Sequence, residues 1–232
     1  MPSGPSTHYP LSENAVADLV DTIKSRPDRR DELVALLPEN AAIYAGRGTN
    51  ATIRLKGYIL AAFEQVGAPP AAMPYILDEL QNGRDAYTTA AAAKALRGLD
   101  APSAKVLSSL LKAVDNIRYV DDAISFARYK PQWPVQERTT ALEEIFSSFA
   151  WLGSMARPAL PDLELLQTDP TLSDRARGCI ARAIDTIRAA PQHVEAEDCC
   201  GAPLSIDSPM QADRCSMPPT HVVLEDQDGR IF

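Results

Sequence analysis

The chain predicts an all-α fold, an α-solenoid of antiparallel helix pairs, followed by an irregular tail that ends in a short β-hairpin. Three observations carry this. Apolar residues recur at i, i+3, i+4 and i+7 over most of the first 190 positions, the period of an amphipathic helix. A long helix, a glycine and a shorter proline-started helix recur as a unit, with the stops at Gly67 and Gly98 thirty-one residues apart. After Ala190-Pro191 the periodicity disappears. At 232 residues and 45% hydrophobic content, the chain has enough apolar material for one good core with an appendage.

Residues 1–10, "MPSGPSTHYP", read as a disordered arm. Val16, Leu19, Val20 and Ile23 then form one helical stripe with Ser12 placed to cap it. Pro27 ends that helix and "DELVALL" gives a second, short one. Leu55, Tyr58, Ile59, Ala62, Phe63 and Val66 make the next stripe, stopped at Gly67. "APPAAMPYILDEL" follows with Ile76, Leu77 and Leu80 inward, and Pro74 falls near the first turn, where a missing N–H costs little. "AYTTAAAAKALRG" and "APSAKVLSSLLKAV" repeat the pattern, the second with Val106, Leu107, Leu110, Leu111 and Val114 as its face. "TTALEEIFSSFAWLG" and "SMARPALPDLELL" repeat it again. Before "TTALEEIFSSFAWLG", the gap around "VDDAISFARYK" has room for one more, degenerate unit, although Pro131 and Pro134 in "YKPQWP" break any helix there. A last helix places Ala176, Cys179, Ile180, Ala183, Ile184 and Ile187 on one stripe.

The glycine-stopped helices, the "MP" and "LP" steps at Met73-Pro74 and Leu160-Pro161, and "TDPTLSDRARGCIARAI" with its Asp169-Pro170 turn and Arg175 resemble HEAT repeats over about residues 50–190. The thirty-one-residue period is shorter than that family's usual range of roughly 40 to 47. It lies closer to the short HEAT-like repeats of bilin lyases. The resemblance implies an array of helix pairs, each burying its apolar face against its neighbours, and so a domain spanning 11–190.

Residues 191–220 hold five prolines and three cysteines with no period, and read as an acidic linker. Residues 221–232, "HVVLEDQDGRIF", read as a hairpin turning at Asp228-Gly229. That stretch resembles the opening strand and turn of thioredoxin-fold proteins of the peroxiredoxin and Sco/SenC type. The resemblance implies a stub of a further redox or copper-handling domain. None of that family's functional residues falls within the twelve residues of the stretch.

Charge separates the two regions. Residues 192–232 carry eight carboxylates against two arginines, a net of −6, leaving −2 of the chain's −8 for the rest. A near-neutral body with an acidic tail excludes phosphate-backbone binding as the main business of the chain, since that needs clustered Lys and Arg. The densest arginine stretch, "SRPDRRDE", interleaves acids and reads as solvated surface. No run of eighteen apolar residues occurs, so no membrane span is expected. The N-terminus has neither a basic nor an apolar segment, which points to the cytoplasm, with a periplasmic or other extracytoplasmic location as the alternative if a leader is missing.

The helical body offers little for catalysis. Its one histidine, His8, sits in the polar arm, so Ser-His or Cys-His chemistry has no base inside the repeats. Glu143 and Glu144 diverge by about 100° on a helix and read as a solvated face. Cys179 reads as a small buried hydrophobe, and Gly83, Gly98 and Gly153 as helix stops and not as a phosphate loop. In the tail, Cys199, Cys200, Cys215, His193 and His221 fall within twenty-nine residues. Thiolate and imidazole suit zinc or copper, with Cys199, Cys200, Cys215 and His221 as the ligands. A disulfide to Cys215 and unpaired thiols remain open as alternatives.

The expected function is a non-enzymatic protein-binding scaffold without a cofactor of its own. The second helix of each pair would line the binding surface through Tyr75, Asp78, Lys112, Asp162 and Gln167, a mixed polar set suited to protein and not to nucleic acid. The alternatives are the N-terminal arm of a Sco/SenC-like copper or redox protein and a bilin lyase-like HEAT protein.

Overall fold

A computed structural model describes residues 13–191 except 102, 122 and 127–137. Among the described residues there are nine α-helices and no strand, and no helix is long and apolar enough to cross a membrane. The arm at 1–10, the Ser12 cap, the prolines of "YKPQWP", the linker and the hairpin lie outside the described residues.

Helix α1, Glu13–Ser25, buries Val16, Val20 and Ile23 and ends one residue before Arg26-Pro27. The short α2, Arg30–Val34, contributes Leu33. Helix α3, Thr49–Val66, buries Leu55, Ile59, Ala62, Phe63 and Val66, and stops at Gly67, whose φ of 86° is easy only for a residue without Cβ. Helices α4, Met73–Asn82, and α8, Leu160–Gln167, both carry proline in the first turn. There the lost N–H has no helical partner anyway.

Helix α5, Ala86–Leu96, differs from the rest. Thr88 to Ala93, Ala95 and Leu96 are all buried, so this helix is buried on most sides instead of along one stripe. Its start is capped by the Asp85 carboxylate, which accepts from the N–H groups of Tyr87 and Thr88. Helix α6, Leu107–Ile117, buries Leu107, Leu110, Val114 and Ile117. Helix α7, Ala141–Leu152, buries Ile145, Phe146 and Phe149, and α9, Asp174–Ala189, buries all six residues of its predicted stripe.

The long helices pack in succession, α1 on α3, α3 on α5, α5 on α7 and α7 on α9, while α4 packs on α6. Each short helix approaches the long helix that follows it (α4 to α5, α6 to α7, α8 to α9) more closely than the one before it. The packing unit is therefore short-then-long, offset from the long-then-short unit visible in the sequence. This is a set of helices packed neighbour on neighbour, compatible with a helical-repeat fold.

The degenerate unit expected around "VDDAISFARYK" does not form as a helix in its described part. Helix α6 ends at Ile117, and Ile124 makes an isolated antiparallel bridge to Thr139, with N···O distances of 2.8 and 2.9 Å. Helix α7 packs directly on α5 and leaves no room between them for another long helix.

Candidate functional site

The five residues expected to face a partner sit on α4, α6 and α8. Asp78, Lys112, Asp162 and Gln167 are exposed, and Tyr75 is half-buried against the core. Asp78 accepts a hydrogen bond from Asn82 Nδ2 at 2.8 Å, whereas Lys112, Asp162 and Gln167 have no hydrogen bond or ion pair among the described residues. Leu165, also on α8, is an exposed apolar side chain, 72% accessible.

Helices α3, α5 and α7 are joined by charges that no local sequence pattern marks. Arg97, at the end of α5, donates from Nε to Glu64 of α3 at 2.7 Å and from one terminal nitrogen to the Glu144 carboxylate of α7 at 2.5 Å. Its other terminal nitrogen meets the Glu144 carbonyl and Ser148 Oγ, both at 3.1 Å. Ser148 Oγ in turn donates to the Ala93 carbonyl, and Lys94 Nζ lies 2.6 Å from Glu64. Three helices are thus joined by one guanidinium whose fork-shaped donors fit the two carboxylates. Burial works to raise the Glu64 pKa, but the hydrogen bonds and charges of Lys94 and Arg97 outweigh it and hold the carboxyl below its ordinary range. Glu144 does not belong to a solvated face: it is buried because the helix rotation that separates it from Glu143 turns it towards α5. Glu143 pairs instead with Arg175 of α9 at 2.5 Å.

A second pair, Lys56 Nζ to Glu79 at 2.9 Å, joins α3 to α4, and Thr88 Oγ1 donates to the same carboxylate. In both networks every carboxylate faces a cation, which is the condition for keeping charge out of water. Such sites hold helices in place. They present no unpaired acid or base to a substrate.

One pocket of about 230 Å³ lies between α1, α3 and α5, lined among others by Lys24, Tyr58, Gln65, Lys94 and Phe126. Its cations are already matched, Lys24 to Asp21 and Lys94 to Glu64. Cys179 is buried, and burial raises its thiol pKa, so it has little thiolate character. Among the described residues no group of His, Cys, Asp and Glu is arranged to hold a metal ion. The proposed ligands Cys199, Cys200, Cys215 and His221, like His8 and His193, lie outside the described residues.

Comparison with known proteins leaves the geometry to speak alone: no family model matches the chain. Neither a curated protein nor a solved structure matches it.

Proposed function

We propose that the chain is a non-enzymatic protein-binding scaffold of HEAT-like repeats, in which helix pairs stack as a solenoid and α4, α6 and α8 present one binding surface. The observation that carries this is the unequal use of polar side chains. On α3, α5 and α7 the acids and bases are spent on one another, as in the Glu64, Arg97 and Glu144 network. On α6 and α8, Lys112, Asp162 and Gln167 stand exposed and unengaged among the described residues. A surface of both charge signs with an apolar residue such as Leu165 suits a folded protein partner. It does not suit a polyanion, which rewards a single sign.

The test is cross-linking of the full chain in extract, followed by affinity measurement with the partner so identified. Combined substitution Asp78→Arg, Lys112→Glu and Asp162→Arg is expected to weaken binding at least tenfold, as loss of about 1.4 kcal/mol would. Asp174→Lys on α9 is expected to leave it unchanged. Equal affinity for all three proteins, or loss only in the α9 variant, refutes the surface assignment.

A further inference from the structure

Two of the short helices end at one ion pair. Arg118, the residue after α6, lies 3.3 Å from the carboxylate of Asp169, two residues after α8, so the C-terminal ends of the two helices are held together. The large apolar side chains exposed among the described residues gather at these ends. Tyr119 and Val120 follow Arg118 directly, and Leu165 stands one helical turn before Asp169. The Tyr119 ring, 69% exposed, is held by the Arg118 guanidinium 4.9 Å from its centroid, while Thr171 donates to Asp169 from its N–H at 2.8 Å and its hydroxyl at 2.7 Å. Further back along the helices stand the unengaged charges. At about 1.5 Å per residue, Lys112 lies about 9 Å from the ion pair on α6, and Asp162 about 10 Å from it on α8.

We infer that this face binds a second copy of the chain, in an isologous pair whose two-fold axis runs alongside α6 and α8 and sets α6 of each copy against α8 of the other. The inference rests on the scaffold reading above and names its partner. The face is self-complementary in charge: its cation stands on one helix and its anion at nearly the same height on the other, so the rotation brings the Lys112 of each copy opposite the Asp162 of its mate. A partner of one charge sign would satisfy only one of the two. Tyr119 and Leu165 supply the apolar centre of the contact, and the Arg118 and Asp169 that flank them are already fixed, so little ordering is left for the moment of binding.

Sedimentation equilibrium of the full chain tests this. The mass is expected to rise from the 25.1 kDa of one chain towards twice that value between about 1 and 300 μM, the weak end of what a standard-sized interface gives. Lys112→Glu alone and Asp162→Lys alone are each expected to raise the dissociation constant about tenfold, because like charges then face each other twice. Mixed in equal amounts, the two variants are expected to regain the wild-type constant, since each then meets the opposite charge at both positions. Tyr119→Ser, at an exposed site, is expected to weaken the pair at least tenfold and to leave thermal unfolding of the single chain unchanged. A monomer at every concentration overturns the inference and leaves the scaffold reading standing with a different partner. Dimers that neither single charge variant weakens, or a mixture that associates no better than its components, put the contact on another face and overturn it as well.

Discussion

Gly98→Ala should destabilise the protein, and the sign is what makes the substitution informative. At a position with ordinary backbone angles, glycine to alanine usually stabilises by about 0.4–1 kcal/mol through the unfolded chain. Gly98 has no positive φ, so nothing in its own backbone forbids alanine. The obstacle is α3: a Cβ at residue 98 would sit 2.0 Å from the Phe63 carbonyl oxygen and 2.7 Å from its carbon. These are backbone atoms within a helix, so relief requires α3 and α5 to separate. Overpacking of this kind costs about 1–3 kcal/mol. The Ala68 N–H to Gly98 carbonyl bond, 2.7 Å long, is strained by the same movement, adding about 1 kcal/mol. Against the gain in the unfolded chain, the net is about 1–3.5 kcal/mol. For a chain of this size that lowers the melting midpoint by about 2–14 °C. Thermal unfolding followed by circular dichroism, with urea midpoints as a second measure, gives the answer. A midpoint equal to or above that of the wild type would mean that α3 and α5 do not approach as described.

Other outcomes follow from the core and the ionic network. Phe146→Ala removes a fully buried ring and should cost about 3–5 kcal/mol in urea unfolding; an unchanged midpoint would remove Phe146 from the core. Arg97→Ala strands Glu144 and leaves Glu64 with Lys94 alone, and should cost about 2–4 kcal/mol, while Arg97→Met combined with Glu144→Leu should cost less than either single change, as measured in a double-mutant cycle. Glu64 supplies a pH dependence. Its folded pKa is below the ordinary value of 4.5, so its stabilising contribution is present above that value and lost as pH falls through the lowered one. Urea midpoints measured between about pH 5 and pH 3 should fall more steeply for the wild type than for Glu64→Gln.

The helices were legible because each announces itself locally. The stripe from Ala176 to Ile187 needs only a period of 3.6 residues, and all six of its members are buried. The stops at Gly67 and Gly153 follow from a backbone geometry that excludes Cβ. What stayed hidden depends on contacts between distant positions. Arg97 lies 33 residues from Glu64 and 47 from Glu144, and no local pattern marks those three as partners. Gly98 reads as a helix stop in the sequence and is one, but its nearness to Phe63 is a property of two helices together. The stretch around Ile124 is hidden for a related reason: its apolar residues suit a helix face, yet Ile124 bridges to Thr139, and it and Phe126 pack on Ala90, Ile117 and Ala141.

Helix α5 has a consequence of a different kind. Four consecutive alanines have no rotamers to choose among, so their side chains lock into place at almost no entropic cost and give a smooth rod between α3 and α7. A smooth rod is also ambiguous, because methyl groups spaced evenly around it fit nearly as well after a rotation or a slide. Lys94 and Arg97 remove that degeneracy: only one setting of the rod brings both cations to Glu64 and one of them to Glu144. The alanines let the neighbouring helices come close, and the ions at the end of the helix fix its rotation and height.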